Sequence, residues 1–394
     1  MLKLGFSGYA LSCAAFLALA ACGGSQTPLG VPSAAQGNAT RHAYSVCVGS
    51  SDERLLSSSG GRRGMFLPSM VVRKAGKRKD LPKGLTPANL RAAYELPSLT
   101  RGSSQIVALV EVCDNPNVAT DQVKYRSQFN LPSGAFYKFN EYGQQADYPP
   151  ARKPLGIFID VDVEMVAAIC PNCTIYLIEA NGEDQTDFQT AETTAVSLGA
   201  HIVNNAWGCN YPGCVDKSYF NAKGVTYVGL GAVPQPDEVY PADFDTVVAV
   251  GGTYLSQGGG GKRGWTESIW KGAGGGCFSD VPKPKWQKAM SCSGRVSNDV
   301  SMDAMNLLAY DSYDGLGSHG SNWLNIGGTG VPTGMISASF ALAGDAAHQD
   351  GGRTFWQKTH RKHLHHIECE GSCAYGERFS FPDGWGSPHG LGAF

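Results

Sequence analysis

Three carboxylates stand at alternate positions in one apolar run: Asp160, Asp162 and Glu164 in "FIDVDVEMVAAI", residues 158–169. Carboxylates move protons in acid–base catalysis and ligate hard cations. The run reads as a helix, on which residues four apart share a face. Asp160 and Glu164 therefore lie together, rotated by about 160–200° from Asp162. Their shared face reads as solvated acid rather than as a site. Four histidines, His360, His363, His365 and His366, form a second cluster. Imidazoles at such spacing could hold zinc or copper. The reading adopted is a polar helix end, with no metal expected there.

The 12 cysteines speak to compartment. Residues 1–22 have the form of an export signal. Lys3 is a sparse basic region, and "YALSCAAFLALAA" is an apolar segment too short and too rich in small residues to span a membrane. It ends in Leu19-Ala20-Ala21-Cys22, followed by Gly23-Gly24, which resembles a bacterial lipoprotein cleavage box. Cys22 is expected to become a lipidated N-terminus that holds an exported protein to the bacterial cell envelope, simple secretion being the alternative. Setting aside Cys13 and Cys22 leaves an even number, which in an exported chain favours disulfides. Local spacing suggests Cys209–Cys214, Cys277–Cys292 and Cys369–Cys373. Cys170 and Cys173 have redox spacing, but they end a helix, where no helix N-terminus lowers a thiol pKa. A structural role follows. The partners of Cys47 and Cys113, and the pairing of Cys170 and Cys173, stay open.

The 394 residues are 42% hydrophobic with a net charge of −2. That is a globular composition with room for one large domain and appendages, and it gives no case for nucleic-acid binding. Residues 23–84 read as a basic tether with little core. Between Arg62 and Lys83 eight basic residues face one acid, Asp80. A solvated linker is the simpler reading, contact with anionic lipid heads the other. The ordered domain is expected over 85–394, opening with a helix capped by Thr86 and started by Pro87. Strands follow at 104–112, 174–180, 201–207, 224–232 and 246–253. Helices are expected at 117–129, 158–169 and 187–200. Strands alternating with helices, and strands apolar on both sides, predict an α/β fold: a doubly wound parallel sheet with helices on both faces.

Several blocks carry a family likeness. They include "LTPANLRAAYELPS", "VALVEVCDNPNVATDQVKYRSQFNLP", "DVDVEMVAAICPNCTIYLIEAN", "TAVSLGAHIVNNAWG", "YPADFDTVVAVGGT", "GGGCFSDVPKPKWQ" and "IGGTGVPTGMISASFALAG". In this order, from about residue 85 to 394, they resemble the sedolisin family of serine-carboxyl peptidases. The resemblance implies a subtilisin-like fold with its site at the carboxyl edge of the sheet. It also implies a serine activated by a glutamate, an aspartate backing that glutamate, and a second aspartate at the oxyanion hole. Carried over residue by residue, the backing aspartate is Asp162. The glutamate position holds Phe158, the oxyanion position Val233 and the nucleophile position Gly330. None of these three replacements has a titratable or nucleophilic atom.

Substitutes are few. Ser337 and Ser339 lie about two turns into the helix after Gly330. Thr329 and Thr333 are nearer but show no basic partner, and Asp237 is the best replacement for the oxyanion acid. The family's C-terminal calcium site has its ligand positions near Leu364 and Ser380, neither a carboxylate, so no calcium or other cofactor is expected. The function expected is that of a non-catalytic, exported pseudopeptidase. Its vestigial cleft would bind a peptide or protein by strand-like pairing, with membrane contact through the lipid anchor and a monomeric state. The alternative is an active acid endopeptidase with rearranged catalytic groups.

Overall fold

Val, Ile and Leu runs covered on both faces form the centre of the computed structural model, which describes residues 65–73, 81–97, 101–102, 104–231, 238–259, 261–288, 290–317, 320–369 and 378–394. The expected signal segment, Cys22, Val233 and Asp237 lie outside these residues. The main elements are β1 (Met65–Phe66), β2 (Met70–Arg73), α1 (Pro87–Ala93), β3 (Ile106–Val112), α2 (Val118–Gln128), β4 (Phe136–Asn140) and α3 (Gly156–Ile169). Next come β5 (Thr174–Ala180), α4 (Gln185–Ser197), β6 (Ile202–Asn205), β7 (Gly208–Cys209), β8 (Thr226–Leu230), β9 (Val247–Gln257) and β10 (Trp265–Ile269). The last are β11 (Gly276–Phe278), β12 (Arg295–Ser297), β13 (Val300–Asp303), β14 (Leu307–Tyr310), β15 (Trp323–Gly328) and α5 (Val331–Ala343).

The large sheet runs β10-β9-β8-β6-β3-β5-β4, with β13 also on β9. Its pairings are parallel apart from β10 on β9. The chain enters at β3, leaves through α2 to β4 at one edge and returns through α3 to β5. It then crosses through α4 to β6, on the other side of β3. Strand order therefore reverses beside β3, which opens a crevice at the carboxyl ends of β3 and β6. β6 and β8 are buried at every residue. Successive side chains point to opposite faces, so both faces of the sheet are covered. The doubly wound arrangement expected from the sequence is the one observed.

Local chemistry sets the element ends. Thr86 and Asn89 form a reciprocal capping box on α1, satisfying two amide donors that the first turn leaves free. Gly344 ends α5 with φ +81, a left-handed cap that glycine adopts without strain. Disulfides join Cys170–Cys173, Cys209–Cys214 and Cys277–Cys292. The expected Cys369–Cys373 pair includes Cys373, outside the described residues.

Two expectations change. The face of Asp160 and Glu164 is not solvated: both are 0% exposed, and all fourteen residues of α3 are buried. The cause is enclosure, since α5, α2, α1, β14 and the sheet all pack on α3. The expected tether also contributes to the domain. Within residues 23–84, β1 pairs antiparallel with β7 and β2 with β15. The folded body thus begins upstream of residue 85.

Candidate active-site cleft

The crevice is lined at its floor by β3, α3 and the start of α5. Asp162, 3% exposed, accepts a hydrogen bond at Oδ2 from Asn204 Nδ2 at 2.8 Å. Asn204, in β6, accepts in turn at Oδ1 from the Ser337 hydroxyl at 2.9 Å. Phe158 sits one helical turn before Asp162, and Gly330 occupies the position just before α5. Phe158, Asp162 and Gly330 line one narrow pocket together with Glu111, Val161, Ala206 and Pro68. Its free volume is about 10 Å³, at the lower limit for a single water.

The nearby hydroxyls are engaged elsewhere. Thr329 Oγ1 accepts from the Ser69 amide at 3.2 Å. Thr333 donates to the Gly330 carbonyl, and Ser339 donates to the Met335 carbonyl at 2.8 Å. The crevice floor therefore offers buried acid without a free nucleophile among these groups.

The acid that sequence reading passed over is Glu111. It is the next-to-last residue of β3, 3% exposed, within hydrogen-bonding reach of Asp162. Its signal was present as a lone carboxylate inside the apolar strand "VALVEV". Burial pushes Asp162 up to about 7, against hydrogen bonds from Glu111 and Asn204 that favour its anion. Burial, the Asp162 charge and the Glu179 charge hold Glu111 well above the usual carboxylate range. Both shifts favour the protonated form, so the pair holds a proton more tightly than two exposed carboxylates would.

A segment of the chain itself roofs the pocket. β1 lies along Gly208–Cys209 and β2 along the strand that leads into Gly330. Between them Leu67-Pro68-Ser69 crosses the cleft. The Thr329 amide donates to the Ser69 carbonyl at 3.2 Å. Gly330 has φ −78 and ψ −27, a conformation open to any residue. What excludes a side chain is contact: a Cβ there would meet Pro68 Cγ at 2.8 Å, Pro68 Cβ at 2.9 Å and Ala206 Cβ at 3.4 Å. Pro68 occupies the space in which a residue-330 side chain would stand.

The other candidate groups lie elsewhere. The four histidines do not converge on a shared ligand position among the described residues. His365 instead stacks on His389 at 4.7 Å, and burial, Arg263 and His389 lower it to about 4. His360 Nδ1 meets the Ala393 carbonyl at 2.9 Å. Leu364 pairs with Pro388, and the Ser380 hydroxyl donates to Asp383. A more open cavity of about 920 Å³, lined by Tyr240, Asp280, Lys283, Trp286 and Arg353 among others, contains none of the expected site residues.

The raised acids fix a pH dependence. A carboxyl whose folded pKa exceeds its unfolded value binds more protons in the folded state. Its contribution is full below the unfolded pKa and is lost as pH rises through the folded one. For Asp162 that window runs from 3.8 to about 7, and raised Glu192 and Asp303 add in the same direction. The thermal midpoint should therefore rise by a few degrees between pH 8 and pH 5, at about 2–4 °C per kcal/mol for a domain of this class. Asp162→Asn should flatten the slope near pH 7. A midpoint that falls steadily over this range, or an unchanged slope in the variant, would contradict the assignment.

Comparisons with known proteins agree with this fold. No family model matches the chain. Over 276 residues it is 24% identical to kumamolisin from Bacillus sp. (strain MN-32), covering 60% of this chain and 49% of that protein. The chain thus spans about half the length of the curated relative it matches. Among solved structures it is similar to Pseudomonas sedolisin, a serine-carboxyl proteinase complexed with two molecules of pseudo-iodotyrostatin. The TM-score is 0.66 at 19% identity, over 78% of this chain and 96% of that one. Fervidolysin from Fervidobacterium pennivorans, a keratinolytic enzyme related to subtilisin, gives a TM-score of 0.51 at 15% identity, over 84% and 50% of the two chains. The chain has a subtilisin-like α/β fold, and its sequence is similar to that of kumamolisin.

Proposed function

We propose that this chain is an exported, non-catalytic pseudopeptidase, anchored through Cys22, whose vestigial cleft binds extended peptide and holds its own Leu67–Met70 segment there. The observation that carries this reading is Pro68 packed where a residue-330 side chain would project. Gly330 supplies no attacking atom, Phe158 supplies no base, and the flanking hydroxyls are bonded elsewhere. The backbone edges that could pair with a substrate strand, Gly208–Cys209 and Asn325–Gly328, are paired with β1 and β2. A peptide or protein ligand in trans would have to displace this strap. The buried Glu111–Asp162 pair is then a proton-holding remnant of acid chemistry. The alternative, an acid endopeptidase with rearranged groups, would draw on the same pair as its acid.

Incubation of the purified protein with a denatured protein from pH 3 to 7 should give no cleavage above background. Loss of a nucleophile alone costs about 10⁶ in a comparable serine peptidase. Cleavage that survives repurification and disappears in Asp162→Ala would favour the endopeptidase. The triple variant Phe158→Glu, Val233→Asp and Gly330→Ser restores the expected groups, but under the strap. Activity should therefore require Pro68→Gly in addition.

A structural arm of the same idea needs no activity. Gly330→Ser alone forces Pro68 to move and should lower stability by about 1–3 kcal/mol. In the Pro68→Gly background most of that cost should vanish, a coupling read from a double-mutant cycle. Additive effects would mean that Pro68 does not pack on residue 330.

A further inference from the structure

On the side of α3 turned away from Asp162, three carboxylates from separate elements meet. Asp121 comes from α2, Asp160 from α3 and Asp311 from the turn after β14. One oxygen from each lies within 4.8 Å of the others. They are 2%, 0% and 0% exposed. Their partners account for only part of their capacity. Asp160 Oδ2 accepts from Asn115 Nδ2 at 2.8 Å, and Asp311 Oδ1 accepts from the amides of Tyr313 and Asp314 at 2.9 and 3.0 Å. The other oxygens, Asp160 Oδ1 and Asp311 Oδ2, are buried without a hydrogen-bond partner. Both belong to carboxylates that face each other, close enough to hydrogen-bond if one were protonated. Asp121 accepts from the Ser312 amide and hydroxyl at 2.8 and 2.7 Å.

More acid surrounds the trio. Glu164, one turn along α3, accepts from the Tyr310 amide at 3.0 Å, and its Oε1 is also unpartnered. Asp314 accepts from the Ile157 amide at 2.7 Å. Lys153 offsets charge at Asp314, with its ammonium 4.8 Å from the Tyr313 ring centroid. Buried carboxylates with unspent oxygens require a counter-charge or a proton.

We propose that Asp121, Asp160 and Asp311 bind one calcium ion that ties α2, α3 and the turn after β14 together. The donors are hard oxygens with no imidazole or thiolate, which points away from zinc and copper. Calcium takes oxygen ligands at about 2.3–2.6 Å in flexible geometry, so donors on opposite sides of the ion stand about 4.8 Å apart. Magnesium needs a tighter octahedron, at about 2.1 Å, and keeps several waters. This buried position suits it poorly. The remaining calcium ligands are water or backbone carbonyl, with Glu164 and Asp314 acting from outside the ligand shell. The site uses none of the C-terminal positions near Leu364 and Ser380.

The test uses the full chain after chelator treatment, at pH 7. Titration with calcium chloride should show one ion per chain by calorimetry and raise the thermal midpoint. Magnesium chloride at the same concentration should not reproduce the rise. Asp160→Asn and Asp311→Asn, both nearly isosteric, should weaken calcium binding at least tenfold. In chelator they should melt no lower than the parent, because each removes one of several mutually repelling charges. An absence of calcium heat, with the same midpoint in calcium and in chelator, overturns the proposal and leaves a shared proton between Asp160 and Asp311 as the arrangement. Parent-like calcium affinity in both variants also overturns it, since the ion would then sit elsewhere. If a variant does not fold, terbium serves in the parent. Emission sensitised through Tyr125 or Tyr313 and quenched by calcium supports the site, and absence of such emission overturns it.

Discussion

The constraint on which the structure depends is α3, a helix buried on every side that nonetheless carries three carboxylates. Each acid needs its own accommodation, and the accommodations come from different parts of the chain. Asp162 is met by Glu111 of β3 and Asn204 of β6. Asp160 is met by Asn115, and Glu164 by the Tyr310 amide at the end of β14. The elements that close around α3 are thus held in register by polar contacts as well as by apolar burial. A buried carboxyl left without a partner or a proton would cost more than most single contacts return. This also gives the acids that line the cleft a structural reason to be there. Asp162 and Glu111 face each other, and removing Asp162 would take from Glu111 its nearest polar neighbour there, whereas Asp162 also has Asn204.

At the strap, the residue at 330 and the residue packed on it constrain each other. At residue 330 the backbone is helical and imposes no demand for glycine. The demand comes from Pro68, seated within 3 Å of where a Cβ would lie. Each residue suits the other. Without a side chain at 330 there is space for a rigid ring, and with the ring in place a serine is excluded. Proline suits the crossing between β1 and β2 because it fixes its own backbone and carries no amide that would need a partner there. The strand pairs on either side then satisfy backbone groups that an open cleft would leave to water or to a peptide.

The fold was legible because its signals are long and redundant. The β5 run at 174–180 coincides with its observed span, and β3, α2, α3 and β9 fall within a few residues of expectation. Phe158, Asp162 and Gly330 could be placed in one cleft because they sit in distinctive segments read in order. Three features were not legible. The burial of Asp160 and Glu164 was missed because two acids on a helix face normally mean solvent. The clue was that the intervening residues are apolar all round, the pattern of a core helix. Glu111 was missed because a single acid in a strand has no period. The strap was missed because β1 and β2 are two and four residues long and lie in a basic, glycine-rich stretch, where pairing is decided by partners far along the chain.

The two faces of α3 are two residues apart in sequence and opposite in space, and they solve the same electrostatic problem differently. Toward the cleft, burial favours the protonated forms of Asp162 and Glu111 in a pocket too small for more than a water. On the far side, Asp160 meets Asp121 and Asp311, with one oxygen unspent on Asp160 and one on Asp311, a demand that a divalent ion would meet more completely than a proton. A helix pinned on one face by a proton and on the other by a cation would respond to acidification in opposing ways. Protons strengthen the Asp162 side and compete with the ion on the Asp160 side. The position of α3, and with it the floor of the cleft, would therefore depend on both pH and cation supply.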